Sequence, residues 1–169
     1  MFETILEMDE TISLEIIYNN LYTFFKNDFI DNKTFLANTI YIDPKSQNKK
    51  DDKEEVFWHI ITREDKKIKK RILDFDRAKR IRWIKPIIEN HDLKEIKMFY
   101  HFESNRKIRL YLWLENKDFV VILQKLGSKS SYLVTSFYID QKYKRKTYEK
   151  RYENYINKKH PKLIGCEWF

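Results

Sequence analysis

Between Thr11 and Asn32 the apolar residues Ile12, Ile16, Ile17, Leu21, Phe24, Phe25 and Phe29 recur at helical steps, and Asp31-Asn32 supplies a stop. The spacing predicts an amphipathic helix. "TFLANTIYIDP" (34–44) holds a short strand ended by Asp43-Pro44. "KSQNKKDDKEE" (45–55) has no apolar residue and reads as an exposed loop. Ile81, Ile84, Ile87 and Ile88 form a second helical stripe. Pro86 does not fit a helix interior, so this helix starts near Lys85 or kinks there, and Asn90-His91-Asp92 ends it.

From Ile96 the period changes. "IKMFYHFES", "KIRLYLWLEN", "FVVILQKL" and "SYLVTSFYID" are four runs rich in β-branched and aromatic residues, joined in part by "ENKD" and "GSKSS". "VVIL" lacks polar alternation, which suits a central strand. The tail "KYKRKTYEKRYENYINKKH" reads as a basic helix with Tyr148, Tyr152 and Tyr155 on one face. The expected fold is α+β: N-terminal helices packed on one face of a four-stranded antiparallel meander, with a closing C-terminal basic helix. One domain is expected over 1–169, with an acidic helical segment at 1–48, a core at 56–140 and a basic tail at 141–169.

Charge sharpens this reading. The 169-residue chain carries +8 overall. Residues 1–48 hold eight acids against three lysines, a net of −5, which leaves +13 on the remainder. A basic body points to a polyanionic partner, and the acidic segment is a candidate mask for it; a solvated lysine-rich surface is the competing reading. The single cysteine, Cys166, allows no internal disulfide and no cysteine-based zinc site, so a reducing, cytoplasmic setting is expected. The N-terminus lacks the basic-then-apolar order of a signal peptide, and no apolar run approaches the roughly 18 residues of a membrane span.

Several chemistries lose their signatures. The four histidines, His59, His91, His101 and His160, show no metal-ligand spacing, so no metal or other cofactor is expected. Two glycines cannot build a phosphate-cradling loop, and no nucleophile elbow is present. What remains is proton-transfer chemistry on a phosphodiester. RNA cleaves itself when its 2′-OH is deprotonated in line with the adjacent phosphate, given a base, an acid and positive charge. His59, set between Trp58 and Ile60, has the right ordinary pKa. Arginines offer the planar fork that suits phosphate.

The segments "FWHIIT", "RIRWIKPIIEN", "RLYLWLENKDFVVIL" and "YLVTSFYID", in that order over residues 56–140, resemble the RNase superfamily that includes barnase, EndoU, colicin nucleases and RelE, in particular its phage-associated branch. The resemblance implies helices on a four-stranded antiparallel sheet. It also implies a histidine that meets a hydroxyl cluster of the last strand across that sheet. The implied activity is a metal-independent, toxin-like endoribonuclease leaving 2′,3′-cyclic phosphate and 5′-OH ends. The implied partners are RNA, a tRNA or an mRNA, and a protein inhibitor or antitoxin, with no membrane involved.

On this reading His59 is the general base or acid and Arg80 clamps the phosphate. Ser136 with Tyr138 positions it. Thr135, which points to the opposite strand face, is the alternative. Arg63, Arg82, Lys142 and Arg145 are candidate RNA contacts. Arg109, Tyr111 and Trp113 share one strand face, which is either solvated or an RNA-binding face. Two other readings stay open: His59 as a core imidazole, and the whole chain as a non-catalytic nucleic-acid-binding regulator of the same fold.

Overall fold

The computed structural model describes residues 2–169. Helix α1 (Leu14–Lys26) starts at Ser13, whose hydroxyl accepts a hydrogen bond from the Ile16 backbone N–H. Ile17, Leu21 and Phe25 form its buried stripe, and a wider π turn over Asn27–Asp31 carries Phe29 into the same core. Ile12 and Ile16, on the predicted stripe, stay exposed. β1 (Phe35–Leu36) and β2 (Ile40–Asp43) pair antiparallel. The predicted exposed loop then folds into a two-residue hairpin of β3 (Lys49–Lys50) and β4 (Lys53–Glu54). It also contains a buried residue, Glu54, whose carboxylate accepts a 2.9 Å hydrogen bond from Tyr22.

Helix α2 (Glu55–Ile61) follows directly. Residues 62–73, which carry no legible element in the sequence, form the hairpin β5 (Thr62–Asp65) and β6 (Lys70–Leu73). After the single turn α3 (Phe75–Ala78) and a 3₁₀ turn at Ile81–Trp83 comes α4 (Ile84–Glu89). Pro86 lies in the first turn of α4, where a missing N–H breaks no hydrogen bond, and Asn90 ends the helix.

Strands β7 (Ile96–Phe102), β8 (Ile108–Leu114), β9 (Phe119–Gly127) and β10 (Ser130–Tyr138) pair antiparallel in sequence order. The sheet is larger than expected. It has six strands in the order β1-β2-β10-β9-β8-β7, because β2 adds parallel to the start of β10. The N-terminal segment is therefore part of the sheet as well as helical. Residues 119–124 of β9 are all buried, as an interior strand with both faces covered requires.

Helices cover both faces, not one. Leu110, Leu112, Leu114, Val121 and Leu123 face the main core with α1, α2 and α4. Phe99, Tyr111, Trp113, Val120 and Ile122 face the other way, and α5 (Lys142–Ile156) lies over them through Tyr148, Tyr152 and Tyr155. Stripping α5 would bare that aromatic layer, each large side chain of which contributes about 1.5–3 kcal/mol on burial. Among the described residues no helix is long and apolar enough to cross a membrane.

Candidate functional site

In α2, Val56, Phe57, Ile60 and Ile61 turn inward, which leaves Glu55 and His59, four residues apart, on the outer face. The C-terminal end of α2 is tied down at the His59 carbonyl. That oxygen accepts from the Thr135 hydroxyl (3.0 Å) and from Arg77 Nη1 (3.3 Å). The next free carbonyl, Thr62, accepts from Arg71 Nη2 (2.7 Å) and Arg77 Nη1 (3.0 Å), and the Thr62 hydroxyl accepts from Arg71 Nε (2.8 Å). Two guanidinium groups thus converge on one backbone oxygen beside the histidine. Asp74, the N-cap of α3, holds Arg77 from behind, with its carboxylate 3.3 Å from Nε.

These groups surround an open cleft of about 500 Å³. Five cations, Lys45, Arg63, Arg71, Arg77 and Arg109, line it against two carboxylates, Glu55 and Glu64. His59 is half-buried in its wall, and among the described residues its ring has no hydrogen-bond partner. Burial first, and then the Arg71 charge, push the His59 pKa below its ordinary value, while Glu55 pulls the other way. The shift favours the neutral imidazole, the form that accepts a proton. Burial likewise holds Arg77 and Arg71 below the usual guanidinium range; the neighbouring cations add to this at Arg77, and both remain charged. A larger groove of about 990 Å³ adjoins the cleft at Arg63, Arg77 and Thr135.

The structure places Thr135, Arg63 and Arg109 in the cleft with His59. Arg63 is exposed and 3.9 Å from Asp74, and Arg109 donates to Gln124 at 3.3 Å. Three other expected catalytic residues lie elsewhere. Arg80 is buried, donates to the Asp76 carbonyl at 2.7 Å and stacks 4.1 Å from the centre of the Tyr138 ring, so it packs instead of clamping phosphate. Tyr138 lines the larger groove. Ser136 is fully buried and its hydroxyl has no partner. A bulge between Leu133 and Thr135 sets these faces: Thr135 pairs with Ile122 of the α5-facing layer, and Ser136 with Val121 of the main core.

The expected RNA face on β8 is covered. Tyr111 and Trp113 lie under α5, the Tyr111 hydroxyl bonded to Glu103 and to Arg151. Arg145 is taken up by Asp118, Glu115 and Glu149. Arg82 pairs with Glu3 and lies 5.6 Å from the Phe24 ring centre. Lys142 stays exposed at the start of α5. The acidic N-terminus docks beside Arg82 and Lys79, through Glu3 and Glu10, rather than over the His59 cleft. His101 lies on β7, its ring 6.0 Å from that of Tyr111 and outside the cleft.

Sequence reasoning missed Lys45, Arg71 and Arg77. One signal was available: Asp74 three residues before Arg77 marks an N-cap, and so places Arg77 in a first helical turn. Among the described residues no three histidine, cysteine, aspartate or glutamate side chains cluster as metal ligands. The chain matches no family model, and no curated protein or solved structure is significantly similar to it.

Proposed function

We propose that the chain is an endoribonuclease whose reacting phosphodiester lies in the His59 cleft. One observation carries this reading: a half-buried imidazole lines an open cleft beside two arginines that share an acceptor and have cationic neighbours. In the proposed reaction His59 takes the 2′-OH proton and the 2′-oxygen attacks phosphorus. The P–O5′ bond breaks and the 5′-oxygen takes a proton from water. Arg71 and Arg77 neutralise charge that builds on the phosphorane oxygens. Thr135 holds the α2 end in place through the His59 carbonyl, and Arg63, Arg109 and Lys45 contact the flanking backbone. No step uses a metal, so cleavage persists in EDTA. A tRNA or mRNA as substrate, a cytoplasmic setting and an antitoxin-like inhibitor belong to the same proposal.

A second reading, a nucleic-acid-binding protein without catalysis, is favoured by one observation. Of the four histidines only His59 lines the cleft, and Ser136 and Tyr138 are turned away. Replacing His59→Ala separates the two. The nuclease loses cleavage by about 10²–10⁴-fold, the usual contribution of a general base, while RNA binding and melting temperature hold. Wild-type protein that binds RNA and never cuts it leaves the second reading standing.

A further inference from the structure

Beside His59 lies a second hollow of about 240 Å³, whose lining does not include Thr135. It shares Glu55, His59 and Arg71 with the cationic cleft, so a chain whose phosphate rests on Arg71 can reach it within one nucleotide. Its size falls below the roughly 300–1,000 Å³ of pockets that take whole drug-like ligands. Its wall is aromatic. Tyr18 and Trp58 meet edge to face with ring centres 5.0 Å apart, and Trp58 is fixed by a 2.8 Å hydrogen bond from Nε1 to the Lys50 carbonyl. Such a rigid, half-buried ring pair suits one planar base, which gains from stacking with little loss of side-chain freedom.

The polar groups decide what the base presents. The Thr62 hydroxyl is already committed, donating to the Trp58 carbonyl at 2.5 Å and accepting from Arg71. The Trp58 N–H is likewise used. At the rim, Lys50 and Asp51 are exposed and opposite in charge. Glu55 remains at the junction with the cleft, one helical turn from His59. An ionised carboxylate only accepts hydrogen bonds. It favours a base edge with an exocyclic amino group and repels a carbonyl.

We infer that the Tyr18–Trp58 hollow is a nucleobase subsite in which Glu55 selects amino-bearing bases over uracil. This rests on the RNA-binding reading of the adjoining cleft. Cytosine and uracil have the same ring size and differ at position 4, amino against carbonyl, and at N3, acceptor against N–H, so the pair is compared together with Glu55→Gln, which isolates the carboxylate.

The test uses the wild-type chain with 2′-O-methyl octanucleotides, which lack the attacking hydroxyl and stay intact. Oligo(C) binds at least about tenfold more tightly than oligo(U), the order expected of one good base contact. Glu55→Gln, whose amide both donates and accepts, brings the ratio to within about twofold. Trp58→Leu weakens both oligonucleotides by a similar factor of about ten. Equal, strongly salt-dependent binding of the two oligonucleotides to wild type overturns the subsite and leaves the cleft standing. A ratio that Glu55→Gln does not move also overturns it. Failure of both oligonucleotides to bind overturns the subsite together with the cleft.

Discussion

Arg77 is the residue at which fold and proposed function can be separated. Replacing Arg77→Met removes a 3.0 Å bond to the Thr62 carbonyl, a 3.3 Å bond to the His59 carbonyl and the 3.3 Å pairing with Asp74. No carbonyl is orphaned, because Arg71 still donates to Thr62 and Thr135 to His59. Methionine keeps most of the methylene packing, and the repulsion between Arg77 and its neighbours Arg71 and Arg63 disappears. Bonds from a charged donor are worth about 1.5–3 kcal/mol each when intact, and these offsets reduce the net loss to about 1–2 kcal/mol. At about 2–4 °C per kcal/mol for a chain of this size, the melting temperature falls by about 2–8 °C.

The functional part is a salt titration of single-stranded RNA binding by fluorescence anisotropy, in a His59→Ala background that leaves the RNA whole. Losing one phosphate contact lowers the slope of log K against log salt by about 0.7. Arg145→Met is the control: it also breaks ion pairs, to Asp118, Glu115 and Glu149, but outside the cleft. It lowers the melting temperature and leaves the slope alone. Equal slopes for the His59→Ala parent and for Arg77→Met and Arg145→Met in that background refute the assignment of Arg77 to phosphate.

Trp113→Ala empties a fully buried site beneath α5. It destabilises by about 3–5 kcal/mol in urea unfolding, with RNA affinity of the folded protein unchanged; a selective loss of affinity restores β8 as an RNA face. His59 and His101 both have pKa values lowered by burial, so the unfolded chain takes up their protons first. Stability is complete above the unfolded value near 6.5 and declines as pH falls below it, and His101→Gln flattens that decline. Burial pushes Tyr100 up to about 12. Its contribution is intact below the unfolded value near 10 and is lost as pH rises from there, so Tyr100→Phe moves the onset of alkaline unfolding upward.

Periodicity exposed α1, α4 and β7 to β10, because each buries side chains that repeat along the chain, and the spaced tyrosines Tyr148, Tyr152 and Tyr155 marked the half-buried face of α5. The small hairpins escaped it. Their turns use non-glycine residues in the left-handed region, Ala37-Asn38, Asp51-Asp52 and Lys69, so the glycine and proline punctuation of hairpin turns is missing. The parallel pairing of β2 with β10 joins segments about ninety residues apart, and no local pattern encodes it. Alternation on β10 correctly put Thr135 opposite Ser136 and Tyr138. It could not say which face met His59, since that depends on α2 lying against β10. Arg71 and Arg77 read as surface charge because their partners are backbone carbonyls, which a sequence does not display.

The most direct test is end-group analysis of RNA incubated with the purified chain in EDTA, beside His59→Ala. Fragments with 2′,3′-cyclic phosphate and 5′-hydroxyl ends are expected from the wild type alone, at a rate that falls on the acid side with an apparent pKa below 6.5, in keeping with the depressed imidazole. RNA that stays intact, or that both proteins cut equally, contradicts a His59-centred nuclease.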